Sequence, residues 1–307
     1  MKPGLSRRRF LLSGLGAAGV VVAAGAAGLA LVETGTLPGR SALQPYLGQC
    51  GAAGHVPDPA AGPIRSGRFR SRFMPHPVGF AFTLPPGARP LGQPVALFLH
   101  GYGEDHTAAF TTYGLQHFLA AANLHLAVAS VDGGRDSYWH RRADGRDPPA
   151  MIAADLLPRL GQAGLDPSHL ALFGLSMGGF GALLLGDGRG HRLPAPYTPR
   201  AVAASSPAIW ASPGATAPGA FDSASDWRAH DLLAPGALAG VPARVWCGTS
   251  DPFAAANRLL QARLPTGAVT FEAGCHRPAT WLRWFPAQLA FLAGALLTEN
   301  PGKLGAR

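Results

Sequence analysis

Beyond about residue 70 the chain falls into short apolar runs alternating with longer amphipathic ones. Residues 95–99 (VALFL), 124–131 (LHLAVASV), 170–173 (LALF), 201–204 (AVAA), 243–247 (ARVWC) and 268–272 (AVTFE) read as strands. Unbroken apolar runs of this length suit strands covered on both faces. Between them, residues 107–122, 148–161, 177–186, 254–264 and 278–297 carry helical patterns. Strand–helix alternation of this kind predicts an α/β fold, a mostly parallel central sheet flanked by crossover helices. Every strand runs into a cluster of Gly, Ser, Asp or His: HGYGE, DGG, GLSMGG, SSP, GTSDPF and AGCH. In open α/β sheets that edge binds ligands. Residues 207–240, rich in Pro, Ala and Gly around a helix at 223–233, interrupt the rhythm and read as a lid-like insertion. Residues 34–70 read as linker and irregular lead-in, 71–298 as one catalytic domain, and 299–307 as a tail.

The sharpest motif is Gly174-Leu175-Ser176-Met177-Gly178. G-x-S-x-G alone is weak, but here an apolar strand precedes it and a small-residue helix follows. A turn this tight strains the central residue and lifts its hydroxyl clear at the helix N-terminus. No Lys-Ser/Thr follows, which argues against a nucleotide loop. Ser176 is the candidate nucleophile. A serine hydroxyl needs a base, and the base an orienting acid. Of the acids between Ser176 and the last strand, Asp251 directly follows a strand. Asp222, Asp226 and Asp231 fall in the insertion, Asp187 lies too near the nucleophile's helix, and Glu272 lies inside a strand. Of His191, His230 and His276, only His276 follows a strand and opens a loop. Asp251 and His276 complete the candidate set. Backbone N–H groups of Met177 and Tyr102 are the expected oxyanion donors, with Gly101 the near alternative. His100 is expected to pack the turn. Tyr138, Trp139 and Trp210 stand past strand ends, where they would wall a substrate pocket.

Strand-HGYG, strand-GLSMGG, CGTSDPF and GCH, in this order, resemble the α/β-hydrolase superfamily. With DGGRDSYWHRR before the nucleophile, an arginine-paired apolar leader at 1–33 and LPGR at 37–40 in the lead-in, the chain looks like actinobacterial exported esterases of the esterase D and mycolyltransferase-like group. The resemblance spans roughly residues 71–298. It implies the α/β-hydrolase fold, a serine esterase working through Ser176, Asp251 and His276, and the amides of Met177 and Tyr102 as the oxyanion hole. It differs at one point: mycolyltransferases carry a glutamate where this chain has Asp251, which speaks against mycolyl transfer.

Composition adds location. Ser6–Leu12 (SRRRFLL) sets paired arginines before an apolar stretch from Leu11 to Val32. This resembles a twin-arginine export signal, so residues 1–33 are read as a leader or an uncleaved anchor attaching the protein to the membrane. The protein is then extracytoplasmic, and its partners are the twin-arginine machinery and a small-molecule or lipid-like ester. Net charge is +9, but much of the excess sits in the leader and at Arg65–Arg72, with no basic helix elsewhere; nucleic acid is not an expected partner. No metal-ligand spacing occurs, and no cofactor or metal is expected. The three cysteines are Cys50, Cys247 and Cys275. Cys247 and Cys275 end adjacent predicted strands, about 4.8 Å apart, so a Cys247–Cys275 disulfide with Cys50 free is the expectation. Three readings remain open on sequence: ester hydrolysis, acyl transfer by the same triad, and a non-catalytic envelope protein that kept the fold.

Overall fold

The computed structural model describes residues 43–189 and 191–297. The leader at 1–33 and the tail at 299–307 lie outside the described residues. The chain divides into two units, Met1–Cys50 and Gly51–Arg307. In the first, residues 43–50 form a turn whose Tyr46 and Leu47 N–H groups donate to Leu43 O, at 3.0 and 3.2 Å. The second unit carries the sheet.

Eight strands form one open sheet in the order β1-β2-β4-β3-β5-β6-β7-β8. They are β1 (Ile64–Phe69), β2 (Val78–Thr83), β3 (Gln93–Leu99), β4 (Ala127–Val131), β5 (Leu165–Leu175), β6 (Val202–Ser205), β7 (Ala243–Gly248) and β8 (Val269–Glu272). β1 and β2 are antiparallel to their neighbours, and every other pairing is parallel. All six strands expected from sequence are present. Within β3 the run VALFL divides cleanly: Val95, Leu97 and Leu99 enter one core and Ala96 and Phe98 the other. Both faces are covered, which is why the run shows no polar alternation.

The helices are α1 (Ala108–Thr111), α2 (Leu115–Ala122), α3 (Pro148–Met151), α4 (Leu157–Gln162), α5 (Met177–Asp187), α6 (Ala224–Ala229), α7 (Ala254–Gln261), α8 (Pro278–Trp281) and α9 (Phe285–Leu297). One core face packs α3, α4 and α5, the other α2 and α9. Among the described residues no helix is long and apolar enough to cross a membrane.

Three expectations change. The lead-in is not wholly irregular, because residues 64–69 form the edge strand β1, in register with β2 from Ile64↔Thr83 to Phe69↔Val78. The helix expected over 107–122 breaks at Gly114, which sits at φ +59°. A Cβ there would meet Val56 Cγ1 at 2.5 Å, so the break is held by packing as well as by conformation. In the insertion the helix covers only α6, capped by Ser223 Oγ accepting the Asp226 N–H at 3.0 Å. Between α3 and α4 a π-turn (Ile152–Leu156) accommodates Pro158, which has no N–H for the α-helical ladder.

Candidate active site

β5 ends at Leu175 and α5 begins at Met177, leaving Ser176 alone to make the turn. Its backbone lies at φ 53°, ψ −120°, a conformation L-residues rarely hold. Packing enforces it. A Cβ on Gly178 would stand 1.9 Å from Leu99 O and 2.6 Å from His100 O, and one on Gly174 would stand 2.5 Å from Gly178. Only glycine lets the elbow press so closely against the end of β3. The Ser176 N–H donates to Ser205 O at 2.9 Å and its carbonyl accepts the Ala208 N–H at 3.0 Å, fixing the turn from the β6 side.

Beyond β7, Asp251 has a side chain with no exposed surface. Its Oδ1 accepts the Phe253 N–H at 2.9 Å, just before α7. Its Oδ2 lies 2.9 Å from His276 Nδ1, and His276 Nε2 lies 2.8 Å from Ser176 Oγ. A carboxylate only accepts, so Nδ1 carries the ring proton and donates to Asp251. That leaves the Nε2 lone pair to accept from the Ser176 hydroxyl. Residues 176, 251 and 276, predicted from three separate strand ends, thus meet in one hydrogen-bonded line. The imidazole is wedged between Phe253 (centroids 5.2 Å) and Trp281 (4.9 Å), and the Trp281 indole N–H is tied to Ser206 Oγ at 3.1 Å.

The loop after β3 lies against the elbow. Gly101 N–H donates to Glu104 Oε2 at 2.8 Å and Gly103 N–H to Arg135 O at 2.7 Å. The Tyr102 N–H between them has no partner among the described residues, which separates Tyr102 from Gly101 as a donor. Met177, first residue of α5, has no intrahelical acceptor for its N–H. His100 is fully buried. Its Nε2 accepts the Gly133 N–H at 3.2 Å, so the proton is on Nδ1, donated to Gly101 O at 2.9 Å. Burial holds its pKa below the ordinary value despite that bond, and the neutral ring serves as a strut for the loop.

The three aromatic candidates separate. Trp139 is wholly buried; it packs on the His100 ring (5.0 Å) and donates its indole N–H to His100 O at 3.2 Å. Its side chain belongs to the core, not to a pocket wall. Tyr138 and Trp210 do join a surface-reaching chain of rings. From His276 it runs through Phe253, Trp210 (5.5 Å) and Tyr138 (5.4 Å) to Tyr102 (6.3 Å), which is 62% exposed. Phe221 of the insertion packs on both Tyr138 and Trp210. Burial pushes the Tyr138 phenol up to about 12, so it stays neutral. Phe221, Phe253 and Trp281 escaped sequence analysis. For Phe253 a signal existed, two residues after Asp251.

The expected Cys247–Cys275 bridge does not form. Cys247 is a free, buried thiol, and the disulfide-bonded cysteines are Cys50 and Cys275. β7 and β8 are indeed neighbours, but register pairs Cys247 with Phe271, and Cys275 lies four residues further on, past the end of β8. Burial, then the Asp251 charge, raise the Cys247 pKa well above the usual thiol value. With Cys275 oxidised and Cys247 held protonated, neither cysteine offers a thiolate to His276.

No family model matches the chain, and no curated protein matches it in sequence. Solved structures do match. The S-formylglutathione hydrolase of Agrobacterium tumefaciens is 18% identical over 78% of this chain and 98% of its own, with a TM-score of 0.63. A ferulic acid esterase is 17% identical over 76% and 99%, with a TM-score of 0.62. MPT51 of Mycobacterium tuberculosis is 18% identical over 77% and 100%, with a TM-score of 0.58. The fold is the α/β-hydrolase fold.

Proposed function

We propose that the protein is an exported serine esterase that hydrolyses carboxylic esters through an acyl-enzyme. The observation that carries this is the Ser176–His276–Asp251 line, 2.8 and 2.9 Å per link, at the C-terminal edge of the sheet. Ser176 Oγ attacks the ester carbonyl while His276 Nε2 takes its proton. Asp251, already bonded to Nδ1–H, holds the imidazolium that results. The carbonyl oxygen becomes an oxyanion against the N–H groups of Met177 and Tyr102, the former also at the positive end of α5. His276 returns the proton to the departing alcohol. Water, activated by the same nitrogen, then releases the acid and restores Ser176.

The aromatic chain from Phe253 through Trp210 and Tyr138 to Tyr102 supports an apolar group on the ester, covered on one side by Phe221 of the 207–240 lid. Two features support export: the twin arginines Arg7 and Arg8 ahead of the apolar stretch, and the disulfide, which suits an oxidising compartment. The test is p-nitrophenyl acetate turnover and fluorophosphonate labelling of purified protein. Ser176→Ala is expected to lose about 10⁴-fold or more in kcat and all labelling. Unchanged turnover, or labelling of another residue, would remove the proposal.

A further inference from the structure

His140, Asp226 and His230 lie away from Ser176, and the proposed chemistry does not use them. His140 follows β4; Asp226 and His230 stand on and just after α6. Their imidazole rings are 4.5 Å apart. His140 is 1% exposed, yet both its nitrogens face acceptors: Nδ1 is 2.9 Å from Arg141 O and Nε2 is 3.0 Å from Ala220 O. A neutral imidazole has one N–H. If it donates to Ala220 O, the Nδ1 lone pair and the Arg141 carbonyl converge with nothing between them. Converging lone pairs in a buried place are a cation's ligands.

The neighbouring donors agree. Asp226 Oδ2 accepts the Asp222 N–H at 2.8 Å, while Oδ1 turns to the histidines, 3.8 Å from His140 Nδ1 and 3.1 Å from His230 Nδ1, which also lies 2.9 Å from Asp226 O. One ligand atom from each of the three residues lies within 4.8 Å of the others. Four-coordinate zinc, with bonds of about 2.0–2.2 Å, needs ligand separations of about 3.3 Å, so side-chain shifts of about 1 Å suffice. The adjoining cavity, lined by His140, Arg141, His191 and His230, has about 10 Å³ of free space, room for one small sphere. Of the cations nearby, Arg142 is paired with Asp222 at 2.8 Å and Arg189 with Asp187 at 2.9 Å, while Arg141 is exposed to solvent. The other group of this kind, Asp105, His106 and Asp132, already has an explanation, since Asp132 accepts the N–H groups of Gly79 and His106 as well as the His106 ring.

We propose that His140, Asp226 and His230 form a divalent-metal site of zinc character that clamps the 207–240 insertion to the segment after β4. Two imidazoles and a carboxylate suit zinc, and Ala220 O holds the His140 ring from behind as an outer partner does. Linear spacing hid the site, because His140 is 86 residues from Asp226. Phe221 stacks on the His140 ring at 5.2 Å and 14°, so the ion would fix the ring that covers Tyr138 and Trp210. The role is structural and leaves the serine chemistry as described.

Full-length purified protein, stripped with chelator and dialysed, is titrated with zinc chloride by calorimetry. Bound metal is counted by elemental analysis, and Tm is read with and without zinc. One equivalent and a Tm rise of several degrees are expected. Asp226→Asn, at a half-buried position, and His230→Ala, at a buried one, should fold by circular dichroism, bind zinc at least tenfold more weakly and lose the Tm rise. Less than about a tenth of an equivalent bound by wild type overturns the site. So does full binding by both variants, or binding lost instead in Asp132→Asn.

Discussion

Asp251→Asn separates a catalytic carboxylate from a helix-end residue. Asp251 does two jobs: Oδ1 takes the Phe253 N–H at 2.9 Å and Oδ2 takes His276 Nδ1–H at 2.9 Å, with the side chain fully buried. Asparagine keeps an oxygen for Phe253, so the start of α7 stays intact. Its NH2 then faces His276 Nδ1, and a donor there is satisfied only if Nδ1 is bare. The ring proton moves to Nε2, where it points at Ser176 Oγ and cannot take the hydroxyl proton. Such a tautomer reversal costs about 10⁴ in kcat, or about 5.5 kcal/mol of transition-state stabilisation. Folding should lose far less, about 1 kcal/mol for one exchanged bond. The assay pairs kcat/KM for p-nitrophenyl acetate with Tm by calorimetry. If activity stays within tenfold of wild type, the Asp251–His276 bond is merely structural and the reasoning fails. If Tm collapses with activity, the lost rate reports folding instead.

Three further outcomes follow from the structure. Thiol titration in denaturant, on protein never exposed to reductant, should count one free thiol per chain and none in Cys247→Ser; two or three would refute Cys247 as the one free thiol. Replacing Arg7 and Arg8 together by lysine should leave the protein in the cytoplasm of its host, read by fractionation, whereas undiminished export would dismiss the twin-arginine reading. Burial raises the Asp132 carboxyl, but the His106 ring and N–H and the Gly79 N–H outweigh it, so its folded pKa lies below the ordinary value. A depressed carboxyl contributes stability above its unfolded pKa of about 3.9 and loses it as pH falls through the folded value. Asp132→Asn should therefore cost about 2 kcal/mol at pH 7 and flatten the decline of Tm below pH 4; parallel Tm curves would contradict this.

What the sequence disclosed follows from how many constraints each position carries. β3 and β5 are covered on two faces, so their apolar runs admit little else. The elbow shows itself because Gly174 and Gly178 are required by contacts as close as 1.9 Å. Ser176, Asp251 and His276 were legible because each follows a strand with a readable apolar run, largely buried β5 and β7 and the half-exposed edge strand β8. β1 was not, since an edge strand reading IRSGRF is exposed along most of its length and has no pattern to distinguish it from a loop. Trp139 misled for a different reason. Tyr138 and Trp139 occupy consecutive left-handed conformations, φ 51° and 59°, and this reversal turns the indole inward under His100. Nothing in a Tyr-Trp pair announces positive φ as glycine would. The cysteines show the same limit in another form. Adjacency of β7 and β8 was correct, but a bridge depends on register, and register places Phe271, not Cys275, beside Cys247. Pattern specifies which strands are neighbours; offsets of a few residues along them are set by turns and packing that the pattern does not encode.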